Sequence, residues 1–438
     1  MHKNTIIKGT LILTLTGFIT RLMGFFFRIF LSRHFGEESV GLYQLIFPVY
    51  ALGFSFTSAG IEIALSRLVA KHNALGRKKE AREILFTSII LSFTLSVFLM
   101  LFLQKYHLHI AVNFLKSKQA APLLLILSYV FPFASIHSCI VGYYLGLKNT
   151  KVAAFSQLLE QSFRILFVLF LTASSHLFIN KGNISIAVGG LIVGEIASSS
   201  YCIRSICGRF IPQHIPVLNL KQFFHYLHDL VFTALPLSAS RVCLNFLQSV
   251  EAVCIPLKLQ AFGLSSAQSL SMYGVLTGMA LPCILFPSAI TNSVSTMLLP
   301  TVAEIDALNN KNLLKKLMQK TIFYSVFLGF LSGFFLLLSG KYIGRHIFHS
   351  EMASDFIITL AWMCPFLYTN TTLISSINGM GKTNITFAIN VCGLIIRVLC
   401  VMFFIPQYGI IGYLRGLLLS QFIVFSCCIF FLHKKFRA

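Results

Sequence analysis

The sequence predicts an all-α, polytopic membrane protein, with about twelve transmembrane helices arranged as two parallel six-helix lobes. Three observations carry this: long apolar runs, a self-match at a fixed offset, and the way basic residues collect in alternate loops. Of 438 residues, 56% are hydrophobic and 11% charged. Uncharged runs such as Ile84 to Gln104, Ala120 to Leu147 and Thr321 to Gly340 match or exceed the roughly 20 residues one bilayer crossing needs.

The spans are expected at 10–32, 43–66, 84–104, 122–146, 152–172, 184–203, 230–254, 270–291, 319–340, 356–378, 383–405 and 410–432. The first carries internal arginines and no small-residue cleavage site follows it, so it reads as a retained helix and not a signal peptide. Sliding the chain along itself by 233 residues pairs Leu127, Pro132, Phe133, Gly146, Thr150, Arg164, Leu166 and Val168 with Leu360, Pro365, Phe366, Gly379, Thr383, Arg397, Leu399 and Val401. Val69, Ala70, Ala74 and Leu75 meet Val302, Ala303, Ala307 and Leu308 at the same offset. Because Val302 corresponds to Val69, the long uncharged run Leu259 to Ala303 holds only one crossing. Six spans per half give both halves the same orientation, one of the repeat designs transporters use. Even-numbered loops and termini hold 21 lysines and arginines against 8 in the odd loops, which puts both termini in the cytoplasm.

The expected division is an N-terminal lobe over 1–207, a cytoplasmic linker over 208–222 with Pro212 and Pro216, and a C-terminal lobe over 223–438. No loop is the size of a soluble catalytic module. The net charge of +22 is therefore read through the loops and not as nucleic-acid binding. The eleven cysteines lack metal-ligand spacing and read as small core residues; no metal or cofactor is expected.

Arg21 and Arg28 stand inside the first span, in Thr20-Arg21-Leu22-Met23-Gly24-Phe25-Phe26-Phe27-Arg28. A charge at the centre of a membrane helix costs about 2.5–3.5 kcal/mol on insertion scales and marks a functional site by default. Seven residues bring the two arginines to one helix face, although Arg28 also fits a side chain reaching a headgroup from the helix end. In the seventh span Ser240-Arg241 echoes Thr20-Arg21 at an offset of 220, with Gln248 where Arg28 stands. That alignment needs about 13 extra residues before the offset of 233 resumes, which Leu257 to Gln268 is expected to supply. Guanidinium stays charged and binds phosphate oxygens bidentately, so Arg21, Arg28 and Arg241 together suit a diphosphate; the alternative for Arg241 is pairing with Glu251 or a lipid headgroup.

Glu160 and Arg164, four apart on the fifth span, read as a structural ion pair. The repeat keeps Arg397 but has Gly393 at the glutamate position, so Arg397 needs a partner from another helix or from a ligand. Glu62 and Glu251 are candidates for a coupling ion, Na+ or H+, or for the membrane potential to act on; Glu195 and Arg415 are the remaining ionisable residues in spans. Gly379-Met380-Gly381-Lys382-Thr383 fails the spacing of a nucleotide-binding loop and lacks a preceding strand, so it reads as a cytoplasmic turn.

On these residues the chain resembles the stage V sporulation protein B group of the multidrug, oligosaccharidyl-lipid and polysaccharide (MOP) exporter superfamily. The likeness is carried by Thr20 to Arg28, Phe35-Gly36, Gly41-Leu42-Tyr43-Gln44-Leu45-Ile46-Phe47-Pro48 and Ala64-Leu65-Ser66-Arg67-Leu68-Val69-Ala70. The resemblance implies a flippase for undecaprenyl-diphosphate-linked precursors working by alternating access. Lipid II flippases, a related branch, also carry arginines in the first span, and Arg21 fits their pattern. Their acidic residue soon after that span is matched here by Leu42, and their arginine in the eighth span by Leu276.

The expected function is export of a lipid-linked oligosaccharide, a peptidoglycan or polysaccharide precursor, across a bacterial plasma membrane. The protein is read as a monomer among membrane lipids, and not as an enzyme. The alternatives are a drug exporter of the same fold, whose cationic substrates an arginine-rich cavity would repel, and a membrane-embedded glycan polymerase or ligase.

Overall fold

The computed structural model describes residues 2–178, 183–210, 219–308 and 311–437. These form helices throughout and, among the described residues, no strand. In chain order they are α1 (His2–Leu45), α2 (Phe47–Phe54), α3 (Gly60–Ala74), α4 (Lys78–His109), α5 (Ala121–Ser128), α6 (Val130–Gly146), α7 (Thr150–Phe178), α8 (Ser185–Phe210) and α9 (Leu220–Ala261). Then come α10 (Ser266–Gly274), α11 (Leu281–Leu285), α12 (Ser288–Ala307), α13 (Lys311–Tyr342), α14 (Glu351–Ala361), α15 (Cys364–Gly379), α16 (Thr383–Phe403), α17 (Ile405–Tyr408) and α18 (Ile410–Arg437). Residues 211–218, the middle of the expected linker, lie outside the described residues.

Twelve crossings account for these helices. Among the described residues nine stretches are long and apolar enough to span a membrane, and two bent pairs, α5–α6 and α14–α15, each taken as one span, bring the count to eleven. One of the nine, Leu11–Ala74, is 64 residues long, far beyond what one crossing takes; it turns at Gly36, whose φ of 80° leaves the helical region, and so supplies two. The bent pairs break by 46° and 58° just before Pro132 and Pro365, where proline withholds the backbone N–H that would continue the ladder.

The repeat is written into the helix ends. Helices α3 and α12 stop at Ala74 and Ala307, α4 and α13 start at Lys78 and Lys311, π-turns follow at Ile110–Phe114 and Ile343–Ile347, and α7 and α16 start at Thr150 and Thr383. Each pair is 233 apart. Backbone detail follows the same offset: Lys116 and His349 both have positive φ, as do Lys148 and Gly381. The extra residues of the second half are not in Leu257 to Gln268. The π-turns Ser55–Ala59 and Val275–Ala280 still keep the offset of 220, so the insertion follows Ala280 and consists of α11, the break at Phe286-Pro287 and the start of α12. The eighth span is thus longer than expected and runs on to Ala307.

The chain divides into two compact units, the first comprising residues 1–24 and 45–249, the second 25–44 and 250–438. The first unit is cored by Val69, Leu85, Ile140 and Tyr144, with Leu230 and Ala234 of α9 joining them; the second is cored by the corresponding Val302, Met318, Leu373 and Ile377. Burial alternates with exposed aromatics such as Phe327, Phe330 and Phe334 on α13, an apolar exterior suited to lipid.

Candidate functional site

In the first unit, α7 and α8 approach closely because glycines face them. A Cβ on Gly194 would lie 2.6 Å from the Glu160 carbonyl, and one on Gly190 2.8 Å from Val168; small residues at such crossings let helix backbones meet. The approach sets Glu195 on α8 beside Glu160 on α7, with His137 of α6 between them. His137 Nδ1 donates to Glu195 Oε2 at 3.0 Å, and its Nε2 lies 3.0 Å from Ser156 Oγ. Ser198 Oγ is 3.4 Å from the same Glu195 oxygen. Arg164 Nη2 donates to Glu160 Oε1, and its Nη1 donates to Gln161 Oε1 at 3.2 Å. One ligand atom from each of His137, Glu160 and Glu195 falls within 4.8 Å of the other two.

Glu62 on α3 stands nearby, within electrostatic reach of His137 and of Arg241 on α9. Helix α9 is held against the second span by contacts that leave little room. A Cβ on Gly60 would lie 1.8 Å from Ser238 Oγ, and Asn245 Nδ2 donates to Ser55 Oγ at 2.5 Å. Arg21, Arg241 and Gln248 are exposed. Among the described residues of this unit no carboxylate is within salt-bridge distance of Arg21 or Arg241.

In the second unit the outer part of α1 is fixed to α10 by backbone contact, since a Cβ on Gly41 would meet the Leu270 carbonyl at 1.9 Å. Ser271 Oγ donates to Glu37 Oε2 at 2.7 Å, and Arg33 donates to the carbonyls of His346 and Ile347 at 2.7 and 2.6 Å. Arg28 is half-buried beside Tyr43 and Cys283. Arg397 on α16 finds its partner on another helix: its Nε donates to Glu251 Oε1 of α9 at 2.6 Å, and Tyr413 Oη of α18 donates to the same oxygen at 2.5 Å. Glu251 is buried, and its charge is balanced within this triad. Nearby, Asn370 Nδ2 of α15 donates to Gln421 of α18, to its carbonyl and to Oε1, both at 2.9 Å.

A model of the polysaccharide biosynthesis protein family matches residues 6–306. The chain belongs to that family. Stage V sporulation protein B of Bacillus subtilis (strain 168) is 34% identical over 315 residues, 69% of this chain and 59% of that protein, so the match spans about three fifths of that relative's length. The lipid II flippase MurJ of the same organism is 24% identical over 423 residues, 90% of this chain and 76% of that protein. A solved structure of lipid II flippase MurJ, inward closed, superposes with a TM-score of 0.74 at 18% identity, over 96% of this chain and 87% of that one. At that identity the likeness speaks for the fold alone. This member of the family is a multi-pass membrane protein similar to stage V sporulation protein B.

Among the participants in these clusters that went unremarked in the sequence are His137, Tyr413, Asn370 and Gln421. His137 and Asn370 are 233 apart, and the exchange of a histidine for an amide at one repeat position was the available signal.

Proposed function

We propose that this protein is a flippase that carries an anionic, undecaprenyl-diphosphate-linked saccharide outward across the bacterial plasma membrane by alternating access, with both termini cytoplasmic and two six-helix lobes joined through residues 208–222. The observation that supports it best is the presence of Arg21, Arg28 and Arg241 in membrane-spanning helices of a polysaccharide biosynthesis family member, with no carboxylate within salt-bridge distance of Arg21 or Arg241 among the described residues of their unit. A guanidinium inside a span needs an anion, and a diphosphate offers the planar, bidentate match that fixes it. Gln248 adds a neutral donor suited to the saccharide. The name of one relative, a lipid II flippase, points to the same class of cargo.

The test is transport of fluorescent lipid-linked oligosaccharide in proteoliposomes. Flipping of the intact lipid is expected; cleavage or polymerisation of it, or uptake of organic cations alone, would overturn the reading. Arg21→Ala and Arg241→Ala are expected to lower the rate at least tenfold, the size of one lost charge-assisted contact of about 1.4 kcal/mol or more, while Arg21→Lys, which keeps charge but not the fork, falls between. Lys79→Ala, on the exposed end of α4, is the control. Rates equal to the control at equal membrane abundance would remove the arginines from the site. Cysteine labelling is expected to reach position 74 from the cytoplasm and position 113 from outside.

A further inference from the structure

The two units solve one packing problem with different chemistry. In each, the fourth and sixth spans are joined by a side-chain hydrogen bond at equivalent places. In the first unit the bond is His137 to Glu195, in the second Asn370 to Gln421. His137 and Asn370 are 233 apart. Glu195 and Gln421 are 226 apart, an offset that also pairs Gly190 with Gly416 and Gly194 with Ser420. The last pair is confirmed by its neighbours: Gly194 faces the Glu160 carbonyl, and Ser420 Oγ donates to the Gly393 carbonyl at 2.9 Å, Glu160 and Gly393 being again 233 apart. Neutral amides therefore suffice to join these helices. The histidine and carboxylate do something that amides cannot, which is to change charge.

The charges around His137 say how large that change is. The facing groups are Glu62 from α3, Glu160 and Arg164 from α7, and Glu195 from α8, with Arg241 of α9 within electrostatic reach of Glu62. Helix α4 offers hydroxyls, such as Ser96, which donates to Ser135 at 3.1 Å. Counted with every carboxylate ionised, three carboxylates against two guanidiniums leave one negative charge when His137 is neutral, an expensive remainder in a low-dielectric span. A single positive charge closes the balance. A divalent transition metal would overshoot it and would compete with Arg164 for Glu160, and alkali ions prefer all-oxygen sites to imidazole.

We propose that His137, Glu160 and Glu195, with Arg164, form a proton-binding site that couples the transport cycle to the proton gradient, and that Asn370–Gln421 is its charge-silent counterpart. The proton adds to the lone pair of His137 Nε2. In the neutral state Nδ1–H donates to Glu195, and Ser156 Oγ donates to Nε2. On protonation Nε2–H donates to Ser156 Oγ, whose hydrogen turns to the Ala153 carbonyl, 3.0 Å away. Both states leave every group of the His137–Ser156 pair bonded, so protonation needs no rearrangement of helices. The proton comes from water on one side of the membrane and leaves to water on the other.

The site can be read without any substrate, so its failure is distinct from failure of the flippase reading, on which only the coupling arm rests. Histidine-labelled protein in detergent would be titrated by NMR, the His137 signal being assigned by its loss in His137→Asn. A reversible single-proton titration between about pH 5 and 8 is expected. It should be absent from the double variant His137→Asn/Glu195→Gln, which installs the amide pair the other unit already tolerates. In proteoliposomes a pH gradient should change the wild-type flipping rate by about fivefold or more and leave the double variant unmoved. A His137 signal that does not titrate between about pH 4 and 9 would overturn the proposal. So would one tightly held zinc per wild-type chain that the double variant loses. Titration with a rate indifferent to the gradient would overturn the coupling.

Discussion

Arg164 and Arg397 occupy one repeat position in two units and are neutralised in different ways. Arg164 takes its carboxylate from its own helix, four residues back, and keeps a second acceptor in Gln161. Arg397, with Gly393 where that carboxylate would be, takes Glu251 from α9, and Tyr413 from α18 shares the oxygen. One arrangement is local and survives small movements of neighbouring helices; the other ties three helices together and depends on all of them. The same positive charge is thus neutralised within its own helix in the first unit and is a tertiary clamp in the second.

The largest effect that comparison predicts is at the clamp. Glu251→Gln should cost about 3–5 kcal/mol, because it removes the buried carboxylate that neutralises Arg397, whereas Glu160→Gln should cost less than half as much, since Arg164 retains Gln161. Unfolding of the purified protein in detergent would measure both, and equal losses would erase the distinction between a local and a tertiary pair. A smaller effect is expected where α8 meets α7. Gly194→Val should lose about 1–3 kcal/mol by overpacking against the Glu160 carbonyl, while the corresponding Ser420→Gly in the second unit should lose only a hydrogen bond, about 0.5–1.5 kcal/mol. The reverse order would mean that the two crossings are not packed alike. Smallest of all, Lys148 sits at φ 59° where its counterpart is Gly381 at φ 74°; Lys148→Gly should stabilise by up to about 1 kcal/mol and Gly381→Lys destabilise by a similar amount, read as opposite shifts in melting temperature.

Much of the fold was legible because a bilayer imposes long apolar runs, and because the offset of 233 needs no chemistry to detect. The need of Arg397 for a partner from elsewhere was legible too, from Gly393 alone. Its identity was not, since nothing in a single sequence says which face of α9 turns toward α16. The position of the inserted residues was misjudged for a related reason: the π-turns that keep the offset of 220 are hydrogen-bond patterns, invisible in residue types. His137 escaped notice because one histidine in an apolar run looks like a core residue until Glu195 and Glu160 are folded against it. The glycines that bring them together, Gly190 and Gly194, have no side chain to advertise a contact.

The turns Gly146 to Thr150 and Gly379 to Thr383 each open on a glycine pressed against the helix two spans earlier, α3 or α12, 2.7 Å from the carbonyl of Ser66 or of Leu299 for an added Cβ, and each then passes through a left-handed residue before the next helix begins. Their shape resides in the main chain, so their letters have been free to drift, and one has drifted into a string that mimics a phosphate-binding loop. They should behave as interchangeable cassettes. A chimera carrying Gly146 to Thr150 in place of Gly379 to Thr383 would join its helices as the parent does.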